Sequence, residues 1–113
     1  MDSVPLKGQA LPHLFQDAVF FLEVSMETRV AVISIIVENS DSVETLNAYL
    51  HEYGAYIIGR MGIPYRAKAK KVNIISVAID APQDTISTLS GKIGKLPGVS
   101  AKTAYSNVIN YAE

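Results

Sequence analysis

Catalysis needs convergent titratable groups, and this 113-residue chain is sparsely supplied with them. It has no cysteine and two histidines, His13 and His51. The first fact excludes disulfides, thiolate zinc sites, cysteine-ligated iron–sulfur clusters and cysteine nucleophiles. The second leaves any metal site short of nitrogen ligands, so no metal and no cofactor is expected. His51 is followed by Glu52, but position 55 is alanine, not a second ligand. A partly exposed helical histidine is therefore expected rather than a His-Glu-x-x-His zinc helix. There is no Gly-x-Ser-x-Gly elbow and no Gly-x-x-x-x-Gly-Lys phosphate loop. Glu38 and Asp80 each close an apolar run, where carboxylates cap the next element, and nothing marks them as an acid/base pair. No catalytic residue is assigned: the chemistry expected is binding, not an enzymatic reaction.

Five of the ten basic residues, Arg60, Arg66, Lys68, Lys70 and Lys71, fall within residues 60–71. Such a cluster suits a small anionic ligand or nucleic-acid phosphate. A solvated hairpin tip, with lysines guarding a sheet edge, explains the last four better. Arg60 differs because it stands in a strand-like run between Gly59 and Gly62, where backbone or ligand can approach closely. It is the leading contact candidate, with Tyr56 and Tyr65 placed either to flank it or to pack at an interface.

These residues must be positioned by a βα unit written twice. Val30 to Val37 is β-branched and nearly all apolar, the pattern of a central strand. Asn39-Ser40-Asp41-Ser42 follows, with Glu44 in capping-box spacing to Asp41. Val43, Leu46, Leu50 and Tyr53 then recur at helical spacing, and Gly54 supplies the stop. A second strand runs from Ala55 to Ile63 and ends at Pro64; residues 65–71 connect to a third strand, Val72 to Ile79. The second helix opens at Pro82 to Asp84, carries Ile86, Leu89, Ile93 and Leu96, and stops at Leu96-Pro97-Gly98; the last strand is Val99 to Tyr105. The order β-α-β-β-α-β predicts an α+β, ferredoxin-like sandwich: a four-stranded antiparallel sheet with two helices on one face.

In that fold the other sheet face should be polar, and here it is not. If Ile75, Val77 and Ile79 point at the helices, Val72, Ile74, Ser76 and Ala78 point away. Both alternate sets of the first strand, including Val30, Val32 and Ile36, are apolar apart from Ser34. With 49% apolar and only 19% charged residues, the chain is expected to bury this face by self-association, as a homo-dimer or tetramer. Ser90, Gly91 and Gly94 lower helix propensity where a neighbour must come close. The alternative cover is the N-terminal extension, residues 1–25, with Leu14, Ala18 and Phe21 on a short helix. That extension is no secretory signal. Glu23-Val24 can be encoded as a ribosome-binding sequence just upstream of Met26, so residues 1–25 are read as a docked helix or a non-native leader, and 26–113 as the domain. A net charge of −1 gives no general attraction to nucleic acid or anionic membrane, and no apolar run spans a bilayer. A cytoplasmic protein is expected.

Residues 26–106 resemble the ACT-like family of regulators of the iron-only hydrogenase system. The resemblance is carried by Arg29-Val30-Ala31-Val32-Ile33-Ser34-Ile35-Ile36-Val37-Glu38-Asn39, by His51-Glu52-Tyr53-Gly54, by Asn73-Ile74-Ile75-Ser76 and by Gly91 to Ser106. Its most specific block is Ile57-Ile58-Gly59-Arg60-Met61-Gly62-Ile63-Pro64-Tyr65. The resemblance implies a regulator of hydrogenase expression or maturation in an anaerobic cytoplasm, partnered by itself, by a small anionic ligand or by a hydrogenase-system protein. It also implies kinship with the regulatory domain of nickel-responsive repressors, whose metal site needs histidines and a cysteine that this chain lacks. The ACT amino-acid site lies at the first strand-to-helix turn, which makes Asn39 and Ser40 ligand candidates beside Arg60 and Tyr65; the glycine usual in that turn is absent. The other functions open to the chain are a DNA-associated transcriptional regulator using the basic 60–71 hairpin and a maturation accessory factor. No helix-turn-helix or ribbon is present to read DNA.

Overall fold

Strict alternation organises the first strand. β1 (Glu27–Val37) buries Ala31, Ile33, Ile35 and Val37 and shows Val32, Ser34 and Ile36 to the opposite side. The computed structural model describes residues 27–67 and 70–111. The boundary expected at Met26 and the segment 1–25 lie outside them. From β1 the chain passes through a 3₁₀ turn (Ser40–Ser42) into α1 (Val43–Glu52), and through a second turn (Gly54–Tyr56) into β2 (Ile57–Ala67). Then follow β3 (Lys70–Ala81), α2 (Gln83–Gly94) and β4 (Val99–Tyr111). The strands form one antiparallel sheet in the order β2-β3-β1-β4. This is the ferredoxin-like α+β arrangement that the repeated βα pattern predicts.

Both helices lie over the same sheet face. Leu46 and Leu50 of α1 and Ile86, Leu89 and Ile93 of α2 meet the inward set of β1, Ile75, Val77, Ile79 and Ala81 of β3, and Val99 of β4. Burying each large aliphatic side chain contributes about 1.5–3 kcal/mol, so this single layer supplies the main driving force for folding. Leu46, Leu50, Ile86, Leu89 and Ile93 are stripe residues expected from the sequence; Tyr49 joins them at the margin, and Leu96, expected on the second helix, packs from beyond its end.

Four local expectations are corrected. Pro64 does not end β2: the strand continues to Ala67, because β2 is an edge strand and an edge tolerates a residue without an N–H. β4 runs to Tyr111, six residues past its expected end, across an irregularity between Arg29 and Ala31 of its partner β1. α2 ends at Gly94, before the stop expected at Leu96-Pro97-Gly98, and among the described residues the positive-φ glycine is Gly98, at φ 69°. Finally, the expected Asp41–Glu44 capping box gives way to Asn39, whose Oδ1 accepts the Asp41 N–H at 2.9 Å. The 3₁₀ entry puts Ser42 in a helical conformation, which leaves its hydroxyl to donate to the Pro97 carbonyl at 2.7 Å.

Candidate functional site

The position of Arg60 depends on one extra residue. Ile57 stands opposite Ile79 and Gly59 opposite Ala78, so Ile58 is a bulge residue with no partner of its own. A regular ladder would set Arg60 opposite Ser76, on the face away from the helices. The bulge shifts the alternation by one and sets Arg60 opposite Val77, on the helix side. There its Nη2 donates to the side-chain oxygen of Asn47 on α1 at 3.1 Å. An open groove of about 490 Å3 runs between α1 and β2, lined by Asn47, Leu50, His51, Gly54, Ile57 and Arg60. Among the described residues no carboxylate pairs with Arg60.

The other candidates are elsewhere. Tyr65 stands opposite Val72 on the open sheet face and so does not flank Arg60; Tyr56 is exposed in the turn before β2. Asn39 spends its side-chain oxygen on the 3₁₀ turn and packs against Gly98, while Ser40 is exposed beside it. Neither lines the Arg60 groove. Sequence reading missed Asn47 and His51 as companions of Arg60. Their i, i+4 spacing puts them on one side of α1 and was a usable signal, but only the bulge makes that side face Arg60. Lys71 is exposed near the hairpin tip; the side chains of Arg66, Lys68 and Lys70 lie outside those described.

The open sheet face is arranged in rows by the strand register. Ile63, Ile74 and Ile36 lie side by side across β2, β3 and β1, with Ser100 beyond them on β4. The next rows are Met61, Ser76, Ser34, Lys102 and then Gly59, Ala78, Val32, Ala104. Ile36, Ile63, Ile74 and Val32 are between 37% and 49% exposed, and Met61 is 60% exposed. Val30 and Val72, on the same face, are half-buried. Gly91 and Gly94 are exposed on α2, and a Cβ built on either meets nothing within 4 Å.

Glu38 and Asp80 are not brought together. Glu38 follows the end of β1 that pairs with Asn73, whereas Asp80 pairs with Val30 near the other end. At 3.3 Å per residue that separation is roughly 25 Å. No group of three or more histidine, cysteine or carboxylate side chains is placed to hold a metal, and no helix is long and apolar enough to cross a membrane.

One ion pair ties the helices together. Lys92 of α2 donates to Glu52 Oε1 of α1 at 3.3 Å, and its ammonium lies 4.5 Å and 5.4 Å from the ring centroids of Tyr49 and Tyr53. The hydrogen bond to Glu52 raises the Lys92 pKa above the usual 10.5, against a smaller lowering by desolvation. A raised pKa means stabilisation that is present below the usual lysine value and lost as pH climbs through the folded one. Lys92→Met should therefore lower stability slightly near neutral pH. In denaturant titrations its difference from the parent should vanish under strongly alkaline conditions. A difference that persists there would assign the effect to the alkyl stem on the tyrosine rings.

Comparison with known proteins places this geometry. No curated protein matches the chain. Among solved structures, "uncharacterized protein TM1266 from Thermotoga maritima" is 30% identical, with a TM-score of 0.62 over 69% of this chain and 96% of that one. Residues 29–103 match the model of the TM1266-like family, described as "Iron-only hydrogenase system regulator, putative". That span holds the helix-side core, the Arg60 groove and the row of isoleucines. The chain belongs to the TM1266-like family of iron-only hydrogenase system regulators.

Proposed function

We propose that the chain is a cytoplasmic regulatory module of the iron-only hydrogenase system that works by binding, as a homo-oligomer joined through its open sheet face, rather than by catalysis. Family membership supports the system it serves. The observation that carries the mode of action is the Ile63–Ile74–Ile36 row, an apolar strip across three strands with no charge among its members. A monomer leaves those side chains in water and forgoes about 1.5–3 kcal/mol for each one that could be buried. A second copy suits the strip best, because an uncharged centre meets its own image without like-charge repulsion. Such an assembly can present a hydrogenase-system protein or a small anionic ligand with a surface that the monomer lacks.

Sedimentation and native mass spectrometry of the full chain test this. A dimer or tetramer at micromolar concentration is expected. A clean monomer there would remove the basis for the proposal.

A further inference from the structure

The bulge at Ile58 exchanges the two faces of β2 for every residue beyond it. It turns Arg60 from the open face to the helix side, where the side chain is exposed and its one protein partner among the described residues is the neutral amide of Asn47. A guanidinium has five N–H donors in a planar fork. The bond to Asn47 uses part of that fork, and the rest remains available to the groove. Beside it the groove presents His51, which adds imidazole nitrogens, and Leu50 and Ile57, which add an apolar wall. Gly54 completes the lining; a Cβ there would meet nothing within 4 Å, so its missing side chain keeps that part of the groove open. The volume, about 490 Å3, falls within the range of small-molecule sites.

We propose that the α1–β2 groove binds a small organic oxyanion, its charged end on Arg60 and His51 and its apolar part on Leu50 and Ile57. Arginine is suited to this task because its fork matches the two oxygens of a carboxylate or phosphoryl group. The proposal rests on reading the chain as a binding module, but it stands apart from the assembly. The groove is on the helix side and the isoleucine row is on the other, so either can fail alone.

The test is an NMR titration of the isotope-labelled full chain at low ionic strength, with isovalerate (a carboxylate with a branched apolar tail) in one arm and inorganic phosphate in the other. Saturable shifts are expected at Asn47, His51 and the Arg60 side-chain N–H groups. Tighter binding of isovalerate identifies a carboxylate site, and tighter binding of phosphate a phosphoryl site. Arg60→Gln should weaken binding roughly tenfold or more, and Arg60→Lys should recover little, since an ammonium cannot supply the fork. Gly54→Leu should fill the groove and abolish the shifts without disturbing the fold, because Gly54 does not require a positive φ. Lys71→Gln, on the hairpin, should leave binding unchanged. The proposal is overturned if neither anion gives saturable shifts, if the shifts centre on the hairpin, or if folded Arg60→Gln binds as tightly as the parent.

Discussion

Gly98→Ala is expected to destabilise the domain by about 3–4 kcal/mol, a large share of the ~5–15 kcal/mol that holds a typical domain folded. Two costs combine. At φ 69° an L side chain crowds its own carbonyl, which costs roughly 1–2 kcal/mol. The new Cβ would also lie 2.5 Å from the Cβ of Asn39 and 3.0 Å from its backbone nitrogen, so relief requires moving backbone rather than swinging a side chain. That movement pulls on a joint used twice. Gly98 accepts the Glu38 N–H at 2.7 Å, and neighbouring Pro97 accepts the Ser42 hydroxyl. The joint ties the end of α2 to the turn that starts α1. The same substitution at Gly91 supplies the control. There a Cβ meets open space in an ordinary helical conformation, and Gly91→Ala should stabilise by about 0.5–1 kcal/mol. Denaturant midpoints of the two variants should move in opposite directions. A loss below 1 kcal/mol at Gly98 would mean that the loop relaxes freely.

The second large effect is on assembly. Ile74→Lys is expected to raise the dissociation constant of the oligomer by roughly 100- to 10,000-fold. A two-fold interface contains the position twice, and each lost isoleucine burial is worth about 1.5–3 kcal/mol. Ile74 is the middle of the row, between Ile63 and Ile36, so the new ammonium would be buried without an acidic partner in that row. The monomer itself should keep most of its stability, since Ile74 is already 38% exposed. Ile75→Ala, one residue on, should do the reverse. That side chain is 9% exposed within the helix-side core, so its truncation should cost about 2–4 kcal/mol of folding. Sedimentation and denaturation of the pair separate the two faces of one strand. If Ile74→Lys sediments like the parent, the open face is not the contact.

Much of the architecture was legible because its signals are local. The spacings Leu46–Leu50 and Ile86–Leu89–Ile93 belong to one helix face each, and the alternation around Ile33 and Ile35 belongs to a pleated strand. The apolar character of both sets of β1 likewise marks the second sheet face as one that water alone does not suit. What stayed hidden depends on register and on contacts distant in sequence. Pro64 looked like a strand end, because nothing nearby says that β2 is an edge. The packing of Asn39 against Gly98 stayed hidden, because Gly98 is far along the chain. Tyr65 and Arg60 looked like neighbours, yet the register sets them on opposite faces of the same strand.

The sequence by itself determined the repeated βα order, the composition of the helix-side core, the absence of cysteine chemistry and the singular place of Arg60 between glycines. Only the tertiary structure decided which way Arg60 faces and what it meets there. Alternation in a strand has a period of two, so a single bulge residue exchanges the faces of everything beyond it, and the chain alone does not show where the ladder will slip. The groove that gathers Arg60, Asn47 and His51 is a product of that slip.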